Sequence, residues 1–251
     1  MLIGGRAHSL TEADYVGEAH LDFAEINLPN HHHAFQDISA LLQLKKKYNF
    51  FLLVHGPEEG NPFDCDELRS SLLPQIKVLI DFAAALEARV ITLHFWLDQR
   101  FIDKPIIEEK LTILETMIKL VQKKRMKLCL ENLSERPSDF EKAFSLFPEL
   151  GLTLDIGHGE LLSPRNTSYS FIESYPERIS HVHIHDNRGG TAPEDDLHLP
   201  LGEGSIAFKP ILSALCQAGY NKTITLELAP DILIQEKEKI EELLNAAQSK
   251  E

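Results

Sequence analysis

The 251-residue chain has few cysteines, no long apolar run and no excess of positive charge. Its three cysteines, Cys65, Cys129 and Cys216, form neither a CxxC pair nor an even framework. That usage excludes a disulfide-stapled scaffold and reads as reduced thiols in a cytoplasmic protein. No window approaches the roughly 18 consecutive apolar residues of a membrane span, so no membrane partner is expected. "MLIGGRAHSL" lacks the basic start and apolar run of a secretory leader. With 25 basic against 39 acidic residues the formal charge is −14, which disfavours non-specific binding to polyanions such as nucleic acid. "IGGRAH" is a poor match to the glycine-rich phosphate loop of a dinucleotide-binding sheet. Linkers and low-complexity runs are also missing, so residues 1–251 read as a single domain.

Eight strand-like runs are present, rich in β-branched or aromatic residues and bounded by polar or turn residues. They span residues 1–6, 21–28, 50–56, 89–95, 127–133, 152–157, 179–186 and 223–228. Helical patterns lie between them at 35–48, 66–88, 105–125, 138–147, 205–219 and 231–250. Pro74 is placed to kink the second of these, Ser138 to cap the fourth and Gly219 to close the fifth. The internal run His31-His32-His33 reads as a solvated loop. Eight units over 251 residues give about 31 residues each, the period of repeated βα units. The fold class is therefore α/β, a (β/α)8 TIM barrel, with a doubly wound open sheet as the rival.

Ligand-type side chains sit at the C-terminal ends of most of these strands. They are His55 in "LLVHGP", His94 in "ITLHFW", Glu131 in "LCLENL", Asp155 and His158 in "LTLDIGH", His183 in "HVHIHD" and Glu227 in "ITLEL". In a barrel such ends converge on one mouth, where active sites lie. Alternation points them inward: Val182 and Ile184 flank His183, and Leu128 and Leu130 alternate with Cys129 and Glu131. Buried carboxylates need compensation, yet Arg6 and Arg188 are the basic residues near these ends. The shortage of cations favours a divalent metal, and mixed His/carboxylate ligation suits zinc, manganese, iron or cobalt better than calcium. "DLH" adds Asp196 and His198 to the candidate ligands, and the backbone of the following "LGEGSI" is placed to hold an anion such as phosphate.

"HFW", "LENL", "LDIGH", "HVHIHD", "DLHLPLGEG" and "LEL", in this order, resemble the xylose isomerase-like TIM-barrel superfamily that contains endonuclease IV. The likeness runs over nearly the whole chain. Similarity to the sugar isomerases and epimerases of that superfamily implies one metal, manganese, zinc, cobalt, magnesium or iron, held by Glu131, Asp155, His183 and Glu227. It further implies that Glu131 and Glu227 move the substrate proton, and that His158 contacts substrate. Arg188 lies one residue out of register with that family's substrate arginine, and Trp96 is a candidate wall for the sugar. Similarity to endonuclease IV implies instead a multinuclear zinc centre that adds His55, His94, His158, Asp196 and His198. Two departures weigh against DNA repair: the endonuclease's His-Pro-Gly reads "HFW" here and its Asp-Thr-Cys-His reads "DIGH". The expected function is a divalent-metal-dependent isomerase or epimerase of a small sugar or sugar phosphate. An endonuclease IV-like phosphodiesterase is the alternative, and a catalytically silent binding barrel ranks third. Barrels of this size often pair, though the sequence carries no interface signature for a homo-oligomer.

Overall fold

The computed structural model describes residues 1–27 and 31–248. Eight strands, β1 (Leu2–Ala7), β2 (Phe23–Ile26), β3 (Phe51–His55), β4 (Val90–Leu93), β5 (Lys127–Glu131), β6 (Gly151–Asp155), β7 (Ile179–Ile184) and β8 (Thr223–Leu226), pair in chain order. Each pairing is parallel, and β8 returns to β1 in register from Leu2↔Thr223 to Gly5↔Leu226. The sheet therefore closes on itself, and the expected (β/α)8 TIM barrel is the fold found.

Closure follows from the residue pattern. Strands buried on both faces send apolar side chains out to the helices and pack the rest inside. Contacts between strands that are not neighbours mark the interior. Thr92 on β4 and Thr153 on β6 share a 2.8 Å hydrogen bond. Nearer the strand starts, Phe23 is fully buried, and a Cβ on Gly4 would stand 2.3 Å from its ring. Gly4 thus has a packing role, because only a missing side chain leaves room for that phenyl ring.

The flanking helices are α1 (Leu10–Glu18), α2 (His31–Tyr48), α3 (Cys65–Glu67), α4 (Leu73–Ala85), α5 (Lys104–Lys123), α6 (Pro137–Leu146), α7 (Ser168–Ser174), α8 (Phe208–Gln217) and α9 (Leu233–Gln248). Amphipathic spacing explains how they sit. On α5, Ile107, Leu111, Leu114, Ile118 and Val121 recur every three or four residues and are all buried. Each such side chain contributes roughly 1.5–3 kcal/mol by leaving water. Pro74 occupies the first turn of α4, directly after a π-helical turn at Leu68–Leu72, so the helix is interrupted at the expected place.

Several expectations need correction. The histidine run His31–His33 opens α2 instead of forming a loop, since nothing in it breaks a helix. Arg136, not Ser138, is the N-cap of α6; Pro137 takes the first helical position, and Asp139 accepts the Arg136 backbone N–H at 2.7 Å. The helix expected from residue 205 starts at Phe208; Ser205 and Ile206 belong to the preceding loop, where their N–H groups bond the Asn187 carbonyl and Asp186 Oδ1. Two helices, α1 and α7, were not read from the sequence. Gly219 does stand just past α8 at φ +80°, as its assignment required. The three cysteines are free thiols. Among the described residues, no helix is long and apolar enough to cross a membrane.

Candidate functional site

Parallel register sets the site. Asp155 on β6 stands beside His183 on β7, and His183 stands beside Thr225 on β8. Glu131 ends β5, and Glu227 follows β8 by one residue. Their inward side chains meet at the C-terminal mouth: Glu131, Asp155, His183 and Glu227 each offer one ligand atom within 4.8 Å of the others. At the centre is His183 Nδ1, which lies 3.2 Å from Glu131 Oε1, 3.4 Å from Glu227 Oε1 and 3.8 Å from Asp155 Oδ2. All four residues are buried.

Two further groups flank this quartet. On one side His55 Nε2 and His94 Nε2 lie 3.0 and 3.2 Å from Glu131 Oε2. On the other, Asp196 Oδ2 lies 3.2 Å from His158 Nε2 and 3.1 Å from His198 Nε2. His185 completes the second group, with its ring stacked on His198 at 3.8 Å. The structure thus brings together every residue proposed as a metal ligand. Two participants escaped the sequence reading. His185 stands in "HVHIHD" but outside the expected ligand set, and Glu25 on β2 lies outside that set too. The available signal for Glu25 was a lone carboxylate inside the apolar strand "FAEI".

Short loops hold these side chains in place. Asn132 and Asp155 are clasped by two 2.9 Å bonds, Asn132 Nδ2 to the Asp155 carbonyl and the Asp155 N–H to Asn132 Oδ1. Asp186 accepts the N–H groups of Gly202 and Gly204 at 2.9 Å and of Ile206 at 3.2 Å. The anion expected at "LGEGSI" is therefore the protein's own Asp186 carboxylate, and those N–H groups are not left for a phosphate. Trp96 is half-buried; its Nε1 donates to Ser134 Oγ at 2.8 Å and its ring stacks on Phe101 at 5.3 Å. Arg188 is exposed and donates to the Glu203 carbonyl at 3.3 Å. Arg6 reaches the mouth instead, with Nη1 3.6 Å from Glu227 Oε2.

The electrostatics are those of anions facing imidazoles. Burial alone would raise the Glu131 carboxyl, but His183 and His94 outweigh it and hold it well below the usual carboxylate range. Burial likewise opposes ionisation of Asp155, and His158 and His185 overcome it. For Glu227, burial is offset by His183 and Arg6. Burial disfavours a charged His94, yet Glu131 and Glu58 lift it to about 10. His183 is raised well above the ordinary histidine range by Glu25, Glu131 and Glu227, against the effect of burial.

A divalent cation suits this donor set. Asp155 Oδ2 and both ring nitrogens of His185 are buried without a hydrogen-bond partner. Lone pairs left this way cost free energy unless a cation or proton satisfies them. Three carboxylates around one imidazole nitrogen are also the mixed oxygen and nitrogen donors that transition metals accept.

Known proteins agree with this architecture. The chain is 27% identical over 242 residues to the uncharacterized protein MJ1311 of Methanocaldococcus jannaschii, covering 87% of this chain and 79% of that protein. A second protein of that organism, MJ1188, is 27% identical over 227 residues, covering 83% of this chain and 80% of its own. Among solved structures, a D-tagatose 3-epimerase-like protein superposes with a TM-score of 0.81 at 24% identity, covering 98% of both chains. A D-allulose 3-epimerase from Methylomonas sp., in complex with D-allulose, superposes with a TM-score of 0.75 at 16% identity, covering 96% of both. At these identities the two structures establish the shared fold. Residues 14–249 match the family model described as xylose isomerase-like TIM barrel, and the chain belongs to that family.

Proposed function

We propose that the protein is a divalent-metal-dependent isomerase or epimerase of a small sugar or sugar phosphate. The observation that carries this reading is the placement of Glu131 and Glu227, whose carboxylate oxygens both lie beside His183 Nδ1, at 3.2 and 3.4 Å, within the ligand quartet. Glu131, Asp155, His183 and Glu227 would hold the metal, which when bound supplies Lewis-acid stabilisation of the oxygen charge that develops on the substrate. Both glutamates are held in their ionised, proton-accepting form by the imidazoles around them. In an isomerisation one ionised glutamate would take the proton from the carbon next to the sugar carbonyl and, now protonated, return it to the neighbouring carbon of the enediolate. In an epimerisation the other glutamate would first take up a proton from solvent and donate it on the opposite face, while the first gives its proton back to solvent. His158, whose Nε2 lies 3.2 Å from Asp196 Oδ2, would exchange that contact for a substrate hydroxyl. Trp96, its ring stacked on Phe101, would wall the sugar ring. The D-allulose complex of a protein with this fold supports a small sugar as the partner.

Incubation with ketoses and sugar phosphates in D₂O tests the reading. Deuterium incorporation at the carbon next to the carbonyl, with formation of an isomer or epimer, is the expected result. No exchange across such a panel, in protein loaded with manganese, cobalt, magnesium or zinc, would sink it.

The flanking groups favour a second reading. His55 and His94 on one side, and His158, Asp196 and His198 on the other, could extend the centre to two or three metals, as a phosphodiester hydrolase requires. Two or three zinc or iron ions per chain, together with cleavage of abasic DNA or another phosphodiester, would place this reading first.

A further inference from the structure

We propose that Glu25, supported by Thr225, is a positioning residue that turns His183 so that its Nδ1, not its Nε2, is presented to Glu131, Asp155 and Glu227. The assignment rests on the metal reading above and deepens it by one layer.

The geometry leaves one arrangement of the ring. His183 Nε2 lies 2.9 Å from Glu25 Oε2. An ionised carboxylate can only accept, so that nitrogen carries the hydrogen. Nδ1 faces the three carboxylates of the quartet at 3.2–3.8 Å and also carries a hydrogen in the metal-free protein; a metal held by those carboxylates would take the place of that hydrogen, while Glu25 keeps the one on Nε2. Without Glu25 the ring could rotate, which would carry Nδ1 away from the cluster, or, once neutral, take the other tautomer, which would leave a hydrogen on Nδ1 in place of a lone pair.

Glu25 is itself held. Its Oε2 accepts from Thr225 Oγ1 at 2.6 Å and from His181 Nε2 at 3.0 Å, in addition to His183. His181 is steadied in turn by Thr223 Oγ1, 2.6 Å from its Nδ1. Swinging the carboxylate away would therefore break three hydrogen bonds at once. Strand β2 neighbours β1 and β3, so Glu25 reaches β7 and β8 by crossing the barrel interior. Although Glu25, His181 and His183 also lie within 4.8 Å of one another, their facing atoms are already joined by hydrogen bonds.

Structure alone does not require a charge at this place. A neutral acceptor would satisfy the His183 N–H with a smaller desolvation cost than a carboxylate that is 1% exposed and leaves its Oε1 without a partner. A carboxylate does what a neutral acceptor does poorly: it fixes the tautomer and makes the far nitrogen a stronger donor to a metal.

Calorimetric titration with Mn²⁺ alone, on metal-stripped full-length protein, tests the assignment. Glu25→Gln should weaken Mn²⁺ binding by about 10- to 100-fold, Glu25→Ala by at least as much, and Thr225→Val by less. Circular dichroism and thermal melting identify any variant that fails to fold; Thr225→Val, which leaves the carboxylate in place, keeps the test available. A double-mutant cycle with His183→Ala separates positioning from general packing. In that background Glu25→Gln should change Mn²⁺ affinity by less than about twofold. Equal affinities for wild type and Glu25→Gln, or the same loss with and without His183, would overturn the assignment alone. Wild-type protein that takes up no Mn²⁺, Zn²⁺ or Co²⁺ would overturn the metal reading and the assignment with it.

Discussion

Glu131 and Glu227 bring carboxylate oxygens within 4.8 Å of each other from strands three apart in the barrel, with His183 Nδ1 between them at 3.2 and 3.4 Å. Two anions this close in a buried site repel unless positive charge stands between them. On the proposed reading the same closeness would let both act on one substrate. Glu131→Gln and Glu227→Gln keep the size of the side chain and remove the base. Each is expected to slow isomerisation or epimerisation by about 100- to 10,000-fold. Deuterium exchange from solvent into the substrate is the readout, with circular dichroism as the control for folding. A variant within a few-fold of wild type would remove that glutamate from the proton exchange.

Metal binding should release protons. In the metal-free protein, burial opposes charge on His94, but Glu131 and Glu58 raise it to about 10, and His183 also lies well above its ordinary range. Both imidazoles therefore carry protons at neutral pH, and a ligating imidazole must lose one. Affinity should climb with pH by about tenfold per unit for each proton released. Titrations in two buffers of different ionisation enthalpy count those protons, and a count of zero would exclude His94 and His183 as ligands. The sign for stability is opposite. The raised His94 stabilises the metal-free fold fully below about pH 6.5, and this contribution is lost as pH rises through about 10. Chelator-treated protein should show that decline in melting temperature, and metal-loaded protein should not.

Much of the mouth was legible because strands and ligands share a boundary. "LLVH", "ITLH", "LCLE", "LTLD" and "TLE" each run from apolar or β-forming residues into a charged or imidazole side chain, and parallel closure carries those ends to one place. What stayed hidden depended on contacts across the barrel or on short elements. Glu25 lies in a four-residue strand, and its partners His181 and His183 are over 150 positions away. The helix α7 spans seven residues, too few to display a 3.6-residue period. For α1 the sequence does carry a signal: Ser9 caps it by accepting the Glu12 N–H at 3.2 Å, the Ser-x-x-Glu pattern of a helix start. "LGEGSI" reads as an anion loop and is one, but no linear pattern tells that its anion is Asp186.

Asp186 is expected to be a stability residue for the loop that carries Asp196 and His198. Its two oxygens accept four backbone N–H groups, from Asn187, Gly202, Gly204 and Ile206. Leaving several such donors without partners, with water relieving some of them, should cost roughly 2–4 kcal/mol in Asp186→Ala. Asp186→Asn retains one accepting oxygen and should cost about half as much. Urea unfolding measures both. Because the Asp186 and Leu199 backbones are paired at 2.8 and 2.9 Å, loosening this loop should also weaken binding of any metal that requires His198. Wild-type stability in Asp186→Ala would show that the loop is held by other contacts.

Glu135 gives the clearest pH signature away from the ligand cluster. It is fully buried; Oε1 accepts the Leu97 N–H at 2.8 Å, and Oε2 accepts those of Leu133 and Ser134 at 2.8 and 3.1 Å. Burial outweighs these bonds and lifts its carboxyl from an ordinary 4.5 to about 7. The folded state therefore holds this proton more tightly than the unfolded chain does. The resulting stability is fully present below pH 4.5 and is lost as pH rises through about 7, a decline on the order of 3 kcal/mol. Glu135→Gln removes the titration and one accepting oxygen. It should be less stable than wild type in acid by about 1–3 kcal/mol, and the gap should narrow or reverse toward pH 8. Denaturation curves at intervals across that range decide the matter, and parallel profiles would show that Glu135 titrates normally. The same side chain ties the loop after β4 to the loop after β5, where the Trp96 indole is anchored on Ser134. If Trp96 walls the sugar, Glu135→Gln should raise KM more than it lowers kcat.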